Sequence, residues 1–221
     1  MPPMPQRSTG PGAAANILFL LVASGGLPVK IARLLLIPIM KNFVYFDLET
    51  QKSASEVGGW QNKREMKMSI GVTYSTANQA YRIYTEAEAE LLIDELRKAD
   101  CVVGFNIIGF DFPVLEAYSV FDLGSVIALD LMADVEKSVG RRLGLDALAS
   151  ETLGIGKTGH GMDALKWWKE GKMNEIAEYC CYDVKATKLL HEYGASQGQV
   201  FYQNDRTKRR EAVPVSWKKA E

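Results

Sequence analysis

The chain has 221 residues, 47% of them hydrophobic and 24% charged, with Lys+Arg 26 against Asp+Glu 27. That is the balance of one globular domain of ordinary size with a short appendage, and it excludes collagen, coiled coil and disorder throughout. The net charge of -1 excludes a whole-surface electrostatic grip on nucleic acid, but not a local groove.

The first 39 residues carry Arg7, Lys30 and Arg33 and no acidic residue, which leaves 40–221 with a net charge of -4. They open on Pro and Gly and continue as two apolar runs, 17–27 and 31–40. Neither run reaches the ~20 apolar residues that span a bilayer, so no stable membrane association is expected. The first run is like the core of a secretory signal. The better reading is an over-extended start, with the functional chain beginning at Met40, and 1–39 is set apart from the fold. Cys101, Cys180 and Cys181 are odd in number, and the last two are adjacent. That suits free thiols in a reducing, cytoplasmic setting.

Residues 43–48 form an apolar run ended by charge, the pattern of a strand buried on both faces. Residues 66–74 and 80–84 are strand-like, with a hairpin turn between them. Thr85-Glu86-Ala87-Glu88 is a capping box that opens a helix through Lys98. Residues 101–105 form a short buried strand, and Pro113 suits the first turn of a helix. Residues 126–129 are a candidate fifth strand, 145–152 a helix, 154–161 a Gly-rich loop and 172–193 one long helix. The expected class is therefore α/β with a mixed sheet. The domain is drawn over 40–200, followed by a basic tail over 201–221; within it, 205–221 has a net charge of +3. His191 is read as a surface residue of the last helix.

Three acidic positions carry the chemistry. Asp47 and Glu49 end the first strand two residues apart, so they share a face. Paired carboxylates at a buried strand end repel and lose solvation unless a cation sits there, and hard oxygen ligands suit magnesium or manganese. Asp111 is the lone charge in the apolar stretch 103–113, near a helix start. Tyr179 and Asp183 are four apart and project together from the long helix. Four carboxylates can hold two divalent ions ~3.5–4 Å apart.

Val44-Tyr45-Phe46-Asp47-Leu48-Glu49-Thr50, then Phe105-Asn106 through Phe110-Asp111, then Tyr179-x3-Asp183 resemble, in this order, the three motifs of the DEDD superfamily of 3′–5′ exonucleases. Tyrosine at 179 gives the DEDDy form; the histidine form would need His where Glu178 stands. Ala128-Leu129-Asp130-Leu131 and Gly144-Leu145-Asp146-Ala147-Leu148-Ala149 are similar to the proofreading domain of family-B DNA polymerases in its stand-alone bacterial form. The resemblance covers about 43–195. It implies a ribonuclease H-like fold, with a central five-stranded mixed β-sheet flanked by α-helices. It implies Asp47, Glu49, Asp111 and Asp183 as ligands of two Mg2+ or Mn2+ ions, and Tyr179 as the group that positions the attacking water. Leu48, Thr50 and Asn106 would border the terminal nucleotide, with His160 approaching substrate from the Gly-rich loop. The implied partner is a single-stranded nucleic acid 3′ end, DNA or RNA. A structure-specific endonuclease on the same fold, or a binding module without activity, stays open at this level. Trp167 and Trp168 suit either base stacking or the core.

Overall fold

In the computed structural model, which describes residues 41–156 and 161–218, the first apolar run becomes β1, Phe43–Thr50. A short helix, α1 (Lys63–Met66), ends at Lys67, whose φ of 56° breaks the chain before β2, Met68–Ser75. The strand expected from residue 66 therefore starts two residues later. β2 turns into β3, Ala80–Thr85, an edge strand with Tyr81 and Ile83 exposed. The Thr85–Glu88 capping box forms as expected and leads into α2, Ala89–Lys98, whose Leu92, Ile93 and Leu96 face the sheet. β4 (Cys101–Gly104), α3 (Asp111–Leu115), β5 (Ala128–Asp130) and α4 (Leu131–Val139) follow. Then come α5 (Leu145–Leu153), α6 (Gly161–Lys169) and the long α7, Met173–Gln197.

The sheet has the order β3-β2-β1-β4-β5. β1 pairs antiparallel with β2 and parallel with β4, and β4 pairs parallel with β5. Five strands in a mixed sheet flanked by helices are thus present. β1 lies at the centre, buried on both faces because its apolar run is continuous. One core, under α7, contains Tyr45, Val72, Ile176 and Val184. The other, under α2 and α3, contains Phe46, Leu48, Leu96 and Leu115. At Gly104 the backbone of β1 comes so close that a Cβ would stand 2.9 Å from the Phe46 carbonyl oxygen.

Two expectations are corrected here. Residues 201–217 are part of the folded body: β6 (Gln199–Gln203) and β7 (Arg210–Pro214) form a hairpin, and a boundary at 200 would cut β6. Val213, Val215 and Trp217 alternate along one face and join the α7 core; of the charges that suggested a tail, Arg206, Lys208 and Arg209 lie between the two strands and Arg210 is exposed on the other face of β7. His191 is fully buried instead of exposed. Its Nδ1 pairs with the Tyr45 hydroxyl at 2.9 Å, and its ring packs against Phe43 and Trp217. Those partners come from β1 and from the C-terminal end, so no local pattern on α7 could reveal them.

Burial lowers the His191 pKa from 6.5 to about 4, against the adjacent Glu192 carboxylate and the nearby Lys218 backbone. A folded pKa below the unfolded one means that the unfolded chain binds more protons between those values. Stability from this site is full above pH 6.5 and is lost as pH falls toward 4. The expected loss is on the order of 2–3 kcal/mol. Denaturant unfolding at stepped pH should show the native protein losing stability relative to His191→Asn as pH falls from 6.5 toward 4, on top of the opposite trend from the buried carboxylates, which both proteins share; a difference that does not change with pH would remove His191 as its source.

The three cysteines are free. No described helix is long and apolar enough to cross a membrane. Residues 1–40, His160 with the rest of 157–160, and 219–221 lie outside the described residues.

Candidate metal centre and active site

Strand alternation puts Asp47 and Glu49 on the face of β1 that α7 covers, and α7 delivers Asp183 to the same place. One carboxylate oxygen from each of these three residues lies within 4.8 Å of the others. Asp111 heads α3, whose apolar residues join the core under α2 and α3. It is 2% exposed, and its Oδ1 accepts the Leu48 N–H at 3.1 Å. Asp111 is therefore tied to the β1 backbone between Asp47 and Glu49, and its charge still reaches both.

The electrostatics are unresolved by protein alone. Burial and the charges of Asp111, Asp183 and Glu49 push the Asp47 pKa well above the usual carboxylate range. Burial, Asp183 and Asp111 do the same to Glu49. Asp111 is raised to about 8, chiefly by burial and against its bond to Leu48. Asp183 is raised to about 6, chiefly by burial and further by Asp146, while the neighbouring Tyr179 hydroxyl opposes the rise. Among the described residues, none of the four carboxylates forms an ion pair with lysine or arginine. Converging hard oxygens without a protein counter-charge fit divalent Mg2+ or Mn2+.

A family model described as RNase_H superfamily matches residues 44–194. The chain belongs to the ribonuclease H superfamily. A search of curated proteins gave no match. The five-stranded sheet and the acidic cluster of this ribonuclease H-like domain agree with that membership, which points to a nuclease-type hydrolase acting on nucleic acid and using divalent metal.

Three supporting residues escaped the sequence reading. The buried Cys180 thiol lies 3.3 Å from both the main-chain oxygen and Oδ2 of Asp47, so its one proton can hold that carboxylate in place. Its only sequence signal is its position beside Tyr179. Asp130 accepts the N–H groups of Asn106 at 2.8 Å, Ile108 at 3.1 Å and Ala133 at 3.2 Å. It thereby shapes the loop before Asp111, where Asn106 sits at a φ of 67°. A buried acid at the end of a short strand was the available clue. Asp146 stands near enough to raise Asp183.

The other expected residues are placed as follows. The Leu48 side chain is core, 3% exposed, and reaches the site through its N–H alone. The Thr50 hydroxyl donates to the Lys52 carbonyl at 3.1 Å, beside a groove that begins at Glu49. The Asn106 side chain turns toward Gly109. Trp167 and Trp168 are both half-buried against the α7 core, and the Trp167 ring meets Tyr179 edge-on at 6.3 Å.

Proposed function

We propose that this domain is a 3′–5′ exonuclease of the DEDDy type, releasing nucleoside 5′-monophosphates from single-stranded DNA or RNA ends. The observation that carries the reading is the convergence of Asp47, Glu49 and Asp183 within 4.8 Å, with Tyr179 one helical turn before Asp183 on α7 and close enough to feel its charge. Asp47, Glu49 and Asp183 would hold divalent cations, with Asp111, fixed on the Leu48 N–H, completing the set. Two such ions supply charge to the reacting phosphate oxygens and make water a stronger nucleophile at neutral pH.

The remaining work belongs to the chain. Burial and Asp183 keep the Tyr179 phenol protonated far above neutrality, so its hydroxyl is a fixed hydrogen-bonding group that orients water beside Asp183. The Cys180 thiol and the Leu48 N–H fix the rotamers of Asp47 and Asp111.

The test is degradation of 5′-labelled single-stranded DNA and RNA in magnesium, manganese or EDTA. A ladder shortening from the 3′ end and abolished by EDTA is expected, with closed circular single strands left intact. Cleaved circles would replace this reading with an endonuclease on the same fold. Tyr179→Phe should keep its fold and lose kcat by about 10–1000-fold with KM little changed, since it removes an orienting hydroxyl and not a ligand. Full activity in that variant would remove Tyr179 from the chemistry.

A further inference from the structure

Next to the acidic cluster runs a groove of about 560 Å³ that begins at Glu49 and Thr50. Its size is that of small-molecule sites. Its lining includes Trp60, which is 65% exposed and meets Phe110 edge-on at 6.1 Å, with Met66 and, from α6, Met162 and Leu165. A tryptophan left this exposed, aimed into an apolar groove that opens on the reacting centre, is a surface waiting for a flat apolar partner.

The platform is built in advance. Gly58 and Gly59, with φ of 81° and 130°, make the turn that presents Trp60. The Gly59 N–H bonds to the Ala54 carbonyl at 2.7 Å, and Asn62 Nδ2 donates to the Val57 carbonyl at 2.7 Å. Lys169 of α6 pairs with Glu56 at 2.7 Å and ties α6 to the segment that carries Trp60. A rigid aromatic loses little entropy on binding. The nearby hydroxyls are engaged within the protein: Thr50 with the Lys52 carbonyl, and Ser53 with Glu56 and Ser55. They are not free to read base edges.

We propose that this groove receives the terminal nucleobase of the substrate, stacked on the exposed face of Trp60. The ligand class is a nucleic-acid end held by its base plane, without marked preference among the four bases. Trp60 lies outside all three acidic motifs, between β1 and β2, so it adds a base contact that those motifs do not supply. The inference rests on the proposed exonuclease reading for the position of the 3′ end.

The experiment compares two 5′-fluorescent single-stranded DNAs, one ending in a normal 3′ nucleotide and one in an abasic residue. Binding to the full chain is measured by anisotropy in calcium and in EDTA, and removal of the last residue is measured in magnesium. The native protein should bind the base-bearing end on the order of five- to a hundredfold more tightly. Trp60→Ala should erase most of that difference, and Trp60→Phe should retain part of it. An unchanged difference in Trp60→Ala, or no difference in the native protein, overturns the proposal. A Trp60-dependent binding difference in a protein that degrades neither strand keeps the base site and overturns the exonuclease reading instead.

Discussion

Asp183→Ala is expected to lower phosphodiester hydrolysis by at least about a thousandfold while leaving the domain folded. Asp183 is the carboxylate that α7 contributes to the cluster on β1, and its oxygen is within 4.8 Å of those of Asp47 and Glu49. Without it a cation would lose the one ligand that α7 supplies. The fold does not need it, because its neighbours are other carboxylates that repel it. In metal-free buffer the variant should melt higher, by about 2–4 °C if relief of repulsion amounts to ~1 kcal/mol in a domain of this size.

Magnesium or manganese provides a second reading of the same residue. An ion at about 100 times its Kd stabilises the folded state by ~2.7 kcal/mol. The native protein should therefore melt about 5–10 °C higher in metal than in EDTA, and Asp183→Ala should lose most of that gain. Melting curves in both buffers, beside the degradation assay, check the two effects together. Full hydrolysis in the variant would discard the ligand assignment, and an undiminished metal shift would place the ion elsewhere.

Trp217→Ala should have the largest effect on stability of any change outside the site, about 3–5 kcal/mol. Trp217 is 7% exposed, its Nε1 donates to Asp134 at 2.8 Å, and its ring lies against His191. Its ring also fills the space over Gly194, where a Cβ would stand 2.4 Å from the indole. Truncation opens a cavity between α7, α4 and the C-terminal hairpin, and it leaves the Asp134 carboxylate without this donor. Set against the ~5–15 kcal/mol that holds a domain together, the loss is a large fraction. Urea unfolding at neutral pH measures it; a change below about 1 kcal/mol would mean that the C-terminal segment adds nothing to the core. For the same reason, removing 205–221 is expected to destabilise the body, so a change in substrate binding by that truncation would not report on charge.

The expectation of an α/β class with a mixed sheet came from local patterns, and the count of five strands from the family resemblance; the local patterns are physical. A continuous apolar run such as 43–46 has one use in a domain of this size, a central strand covered on both faces. The capping box at Thr85–Glu88 satisfies helix-end donors by itself. Two-residue spacing put Asp47 and Glu49 on one face, and four-residue spacing put Tyr179 and Asp183 on one side of α7. The edges blurred where local chemistry was ambiguous: Lys67 in a left-handed conformation delays β2, and β5 is displaced to Ala128–Asp130.

By itself, then, the sequence determined which residue types share a face and in what order the elements come, because both follow from the pitch of the chain. Only the tertiary structure decided which faces meet. It drew Asp47, Glu49 and Asp183 together and held Asp111 on the Leu48 N–H. It set Cys180 against Asp47, Asp130 under the Asn106 loop and Trp60 over the groove. It buried His191 between Tyr45 and Trp217, and folded the basic C-terminal segment into a hairpin. Each of those placements depends on residues far apart in the chain, and no period of 2 or 3.6 carries that information.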